Sequence, residues 1–124
     1  MLHLIAIAAG GALGSLARYG MSSAVYAWLG RGFPWGTLAV NLLGSFLMGL
    51  LFVLLIERLS WAPEWRGAIL IGFLGAFTTF STFSIETLNL LEEGAMMAAF
   101  LNMVVSVWLC VLLCWAGVIL GRTL

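Results

Sequence analysis

The sequence predicts an all-α integral membrane protein of four transmembrane helices, with the third helix broken. Three observations lead there: a scarcity of charge, long runs without any charge, and a cluster of hydroxyls inside one of those runs. The chain has 124 residues, 64% of them hydrophobic and 8% charged, with a mean hydropathy of +1.16. A soluble domain carries roughly 25% charged residues. With so few polar groups this surface cannot face water, so the lipid bilayer is the expected solvent.

Each element follows from the spacing of charges. The first apolar run, Leu2 to Ala17, is interrupted at Arg18 and resumes from Tyr19 to Leu29. Residues 32–56, 67–85 and 94–121 contain no charge at all. A helix needs about 20 residues to cross a hydrocarbon core of ~30 Å. Helices are therefore expected at about 2–28, 35–57, 66–91 and 95–121, forming one domain. "GRGFPWG" (30–36) supplies the Gly and Pro of a turn, and "ERLSWAPEWR" (57–66) reads as a charged, Trp-bearing interfacial loop. "EEG" (92–94) ends the third helix. The N-terminal segment lacks the basic start and cleavage site of a signal peptide, so the first helix is expected to remain in the mature protein.

Five Arg, no Lys and five Glu give a formal net charge of zero, and nothing points to nucleic-acid binding. With both termini inside, Arg58, Arg66 and Arg122 would be cytoplasmic, and Arg31 outside with Arg18 near that face. Orientation follows Arg and Lys rather than net charge. So small a bias is compatible with insertion in both orientations or with one weakly signalled orientation. Gly10 and Gly14, Ser45 and Gly49, and Ala68, Gly72 and Ala76 repeat small residues at a four-residue spacing that permits close helix approach. So short a subunit has little room for a polar pathway of its own, so a homo-oligomer is expected.

The polar residues at depth are the candidate site. Asn41 lies about 4.5 Å from the centre of its run. Facing lipid would be costly there, so it is either an interhelical hydrogen bond or a pathway donor. Asn102, Ser106 and Cys110 share one face of the fourth helix, again as glue or as lining. Cys110 and Cys114 have neither redox nor zinc spacing and read as small buried hydrophobes. In the third run, GFLGAFTTFSTFSIET (72–87), five hydroxyl residues occupy seven positions: Thr78, Thr79, Ser81, Thr82 and Ser84. Back-bonding to the helix accounts for one or two such hydroxyls. Five, following Gly72 and Gly75, predict a local break near 75–80. Freed carbonyls at such a break suit a cation, and helix N-termini an anion. Phe80 and Phe83 share a face beyond the break, as packing or as lining. Glu86 is either interfacial or part of the polar track. No enzyme constellation or metal cluster is visible, with one His, at position 3, and no Asp.

"GFLGAFTTFSTFSIET", "WGTLAVNLLGSFLMG" (35–49) and "GGALGSLARY" (10–19) together resemble the Fluc/CrcB fluoride channels over nearly the whole chain, the fourth helix least. The resemblance implies an antiparallel, dual-topology homodimer in the bacterial inner membrane, with two fluoride pores and a structural sodium ion at its centre. Its implied function is passive export of fluoride, giving fluoride resistance. It further implies that Asn41, Phe80 and Phe83 line the pore, with Ser81, Thr82 and Glu86 as its polar track. Ser106 and Cys110 align with pore-facing positions, Cys110 in place of a serine. The carbonyls of Gly75 and Thr78 match the sodium ligands, and Arg18 matches the arginine ending the first helix. Ala76 stands where many members have a second glycine. Small dual-topology multidrug or cation transporters are the competing class, but they use a membrane-embedded Glu in the first helix. Here no acid precedes Glu57. A structural subunit with the hydroxyls as helix glue is the third reading.

Overall fold

The computed structural model describes all 124 residues. Four helices are long and apolar enough to cross a membrane: Leu2–Leu29, Trp35–Arg58, Pro63–Glu92 and Met96–Thr123. The first ends at Gly30 and the third just before Gly94, both with φ +83°. Glycine takes this left-handed conformation without steric cost, so the chain can turn back within a few residues. The third helix starts at Pro63, inside the stretch read from sequence as a loop. Proline suits the first helical turn because it lacks an amide that would otherwise go unbonded there.

Two segments are wound wider than an α-helix, with π-type i→i+5 bonding: Val53–Arg58 at the end of the second helix and Gly67–Leu74 near the start of the third. The Leu59 amide, for example, bonds to the Leu54 carbonyl at 2.8 Å. Leu55, Leu70 and Leu74 from these two segments form the one compact apolar cluster, flanked by Leu47, Leu51 and Phe73. Elsewhere buried apolar side chains such as Leu38, Val53, Phe77 and Leu90 are dispersed among the helices rather than gathered in a cluster. The first helix packs on Gly67–Leu74, and the second on the fourth.

Glycine sets how close these pairs come. A Cβ at Gly10 would overlap the Ala68 carbonyl, and one at Gly14 the Phe73 carbonyl. Gly49 and Gly117 bring the second and fourth helices together in the same way, against the carbonyls of Cys114 and Phe46. Lipid tails are as apolar as leucine, so close van der Waals packing of this kind replaces the hydrophobic driving force of a soluble core.

The third helix is not continuous. Gly75–Phe77 is helical, Thr78 (φ −88°, ψ 156°) and Thr79 (φ −151°, ψ 119°) are extended, and helix resumes over Phe80–Glu92. Gly75, which the sequence reading put at the start of the break, keeps helical angles (φ −60°, ψ −37°). The helix runs on to Phe77 because both the amide and the hydroxyl of Thr78 bond to the Leu74 carbonyl, at 3.1 and 3.0 Å. Gly44 on the second helix leaves the space that the Thr78 methyl fills.

Gly49→Ala is expected to destabilise the protein by about 1–3 kcal/mol, the usual range for overpacking. Gly20, exposed with open space around it, should tolerate alanine with no loss. Apparent melting temperatures in detergent check both, and equal melting of the two variants would contradict the packing described.

Candidate functional site

The site is organised around two extended residues that a membrane helix cannot leave unbonded. Buried backbone amides and carbonyls must find partners where water is excluded. Asn41 supplies them for Thr79. Its side-chain carbonyl accepts from the Thr79 amide at 2.8 Å, and its side-chain amide donates to the Thr79 carbonyl at 3.1 Å. Thr79 then caps the resumed helix, its hydroxyl oxygen accepting from the Thr82 amide at 3.3 Å. Below the break, Arg18 Nε donates to the Ala76 carbonyl at 3.0 Å. This places a positive charge on the C-terminal end of the helical segment that stops at Phe77, where the helix dipole favours it.

These bonds redirect two amides. In a continuous helix the Thr79 amide would bond the Gly75 carbonyl, and the Thr82 amide the Thr78 carbonyl. Here the first goes to Asn41 and the second to the Thr79 hydroxyl. The carbonyls of Gly75 and Thr78 are thereby released from their helical donors. No cluster of His, Cys, Asp or Glu capable of holding a metal exists. Backbone carbonyls freed at a break in a membrane helix are the kind of oxygen that suits a cation.

The expected site residues are distributed over cavities in series. Asn41, Phe80, Phe83, Ser106 and Cys110 border one cavity of about 270 Å³, together with Thr78 and Thr79. Phe83 is buried, whereas Phe80 is 74% exposed. The two rings lie 5.3 Å apart, tilted by 44°. Arg18, Thr82 and Glu86 border a second, more polar cavity of about 200 Å³. Thr79 touches both. The Asn41–Thr79 clamp is thus the partition between them. Thr82 Oγ1 accepts from the Thr79 hydroxyl at 3.1 Å, which leaves its own proton free to donate. Ser81 borders neither cavity; it is exposed, with its hydroxyl 3.5 Å from that of Thr79.

A third cavity of about 280 Å³ opens beyond Glu86, lined also by Tyr26, Arg31 and Glu93. Glu86 is half-buried, and Tyr26 donates to its Oε2 at 2.6 Å. In the fourth helix, Asn102 donates to the Thr87 hydroxyl at 2.9 Å and accepts from Ser106 at 3.3 Å. With Asn102 only 2% exposed, that side chain ties helices three and four together, while Ser106 and Cys110 reach the cavity wall. Sequence reasoning passed over Tyr26, Thr37 and Thr79 as site residues. The first two carry no unusual spacing. The signal for Thr79 was present, since an N-cap needs Ser, Thr, Asp or Asn just before the resumed helix.

Asn41→Ala would leave the Thr79 amide and carbonyl without partners, at about 1–3 kcal/mol for each buried group. Faster hydrogen exchange at the Thr79 amide is the expected outcome, measured by mass spectrometry on peptides spanning the break. Unchanged protection would rule the clamp out.

The sequence pattern described as CrcB-like protein, Camphor Resistance (CrcB), matches residues 5–118. The chain is 60% identical over 116 residues to a fluoride-specific ion channel FluC of Magnetococcus marinus, covering 94% of each chain. It is 57% identical over 123 residues to a namesake from Methylococcus capsulatus, covering 99% of this chain and 54% of that longer one. A Coxiella burnetii protein of the same name is 50% identical over 124 residues, across 99% of this chain and all of its own. A match of this extent, on four membrane-length helices, makes the protein a multi-pass membrane protein and a member of the CrcB family of fluoride channels.

Proposed function

We propose that this protein is a fluoride-selective passive channel of the inner membrane, working as an antiparallel dual-topology homodimer. The observation that carries this reading is the cavity in which Asn41, Phe80, Phe83, Ser106 and Cys110 meet. It contains donors and aromatic rings but no fixed charge. Fluoride is small and tightly hydrated, so a pathway must replace its water with donors. Asn41 has a second side-chain N–H beyond the one given to Thr79, and the Ser106 hydroxyl and Cys110 thiol add rotatable donors. The edge of a phenyl ring is electropositive and attracts an anion without trapping it as a cationic side chain would. Conduction needs binding tight enough for entry and weak enough for release.

The dimer is supported by the open side of that cavity, where Phe80 stands exposed. A second copy packed there would complete the wall. The near-balanced distribution of arginines between the two faces suits insertion both ways. The carbonyls of Gly75 and Thr78 would hold the structural sodium expected of such a dimer, which when bound supplies positive potential near the pathway. Thr82 and Glu86 continue the polar lining toward the membrane surface, and Arg18 and Arg31 supply guanidinium groups there.

Purified protein in liposomes should release fluoride, followed with a fluoride electrode, and flux no greater than from empty vesicles would end the channel reading. Phe80→Ile and Asn41→Asp should each reduce flux by about tenfold or more, equivalent to at least ~1.4 kcal/mol on the rate-limiting barrier. Wild-type flux in both would exclude the cavity as the pathway. In the same assay, exchanging all sodium for a large organic cation before reconstitution should lower flux. Full flux without sodium would argue against the carbonyl site.

A further inference from the structure

The Tyr26–Glu86 contact is unaccounted for by the pathway described so far. Glu86 is the one acid on the third helix inside the polar stretch, and a negative charge beside an anion route is repulsive. Its Oε2 accepts from the Tyr26 hydroxyl at 2.6 Å, while Oε1 is buried with no hydrogen-bond partner. Buried charged oxygens without partners are rare and costly. This carboxylate is therefore held in place by one strong contact.

Tyr26 is itself fixed on several sides. Its hydroxyl lies 3.3 Å from Thr37 Oγ1, and Thr37's amide approaches it at 3.5 Å. Its ring lies over Gly36, where a Cβ would strike it. The Arg31 guanidinium covers the ring at 4.5 Å from the centroid, a cation–π geometry. Tyr26, Arg31 and Glu86 line both the inner polar cavity and the outer one. These three side chains form the wall between them.

We infer that Tyr26 is a positioning residue for anion passage. Its hydroxyl holds the Glu86 carboxylate back at the wall between the inner and outer cavities, and so keeps the Arg18, Arg31 and Thr82 donors available to the passing anion. This rests on the channel reading and extends it to a residue of the first helix. Without the hydroxyl, both carboxylate oxygens lack partners. The side chain then turns to the cationic and hydroxyl groups that border the same cavities, occupying the donors an anion would use.

Tyr26→Phe keeps the ring and removes only the hydroxyl. In full-length protein in liposomes it should lower fluoride flux by about three- to tenfold, in line with loss of one charge-assisted hydrogen bond. Infrared spectra supply a readout that altered packing alone would leave unmoved. The carboxylate stretch of Glu86, identified as the band lost in Glu86→Gln, should shift in Tyr26→Phe. Glu86→Asp, too short to reach the hydroxyl, should show a similar flux loss with Tyr26 intact, and it carries the test if Tyr26→Phe does not fold. Combining the two should cost little more than either alone. Wild-type flux in Tyr26→Phe or Glu86→Asp, additive losses, or an unshifted band would each overturn the inference while the channel reading stands. A wild-type protein without flux would remove the channel reading, and with it the role of Tyr26, even with the infrared shift present.

Discussion

The bidentate pairing of Asn41 with Thr79 is the interaction on which the rest of the structure depends. A membrane helix is stable because every amide and carbonyl is bonded inside the segment. Two extended residues at Thr78 and Thr79 remove that internal solution. Asn41 restores it from the neighbouring helix by offering a donor and an acceptor in the spacing of a peptide group. Aspartate or leucine at this position could not do both. The consequences spread outward from here. The Gly75 and Thr78 carbonyls lose their amides, Arg18 is drawn to the Ala76 carbonyl, and the helix resumed at Phe80 is capped by the hydroxyl of the residue that Asn41 holds.

The same clamp divides the polar interior. On one side lies a cavity with phenyl rings and neutral donors, and on the other a cavity with arginine, hydroxyl and carboxylate groups. The two environments suit different stages of moving a small anion. In the proposed channel, the charged groups would attract it from water, where long-range fields act. Neutral donors and ring edges in the other cavity would hold it only loosely. Tyr26 and Glu86 mark a second partition farther out, so the polar residues form a series of chambers separated by side-chain bridges.

Glycine allows so small a subunit to carry these chambers. Where the first helix meets the third, and the second meets the fourth, backbones touch directly. Contact at that distance stabilises without large side chains, and the polar side chains can then gather where the helices are farther apart. The two π-wound segments lie at the end of the second helix and in the third helix before the break. There they bring Leu55 against Leu70 and Leu74, the part of the molecule most like a soluble core.

By itself the sequence determined the solvent, the four spans and the region of interest. Those depend on composition and on runs of residues, and transfer to lipid is a sum over such runs. The density of hydroxyls around two phenylalanines also singled out residues 78–84 as abnormal for a membrane helix. Tertiary structure alone decided the partners. Asn41 bonds to a main chain, and backbone acceptors leave no mark in a sequence. Asn102 looked equivalent to Asn41, yet its two bonds to Thr87 and Ser106 make it a strut between helices. Ser81 and Thr82 are adjacent in the chain but take different environments, because successive helical residues point about 100° apart and only one can face the Arg18 cavity. Tyr26 could not be found from spacing at all. Its importance comes from Gly36, Arg31 and Glu86 converging on one ring, and that meeting exists only once the helices have packed.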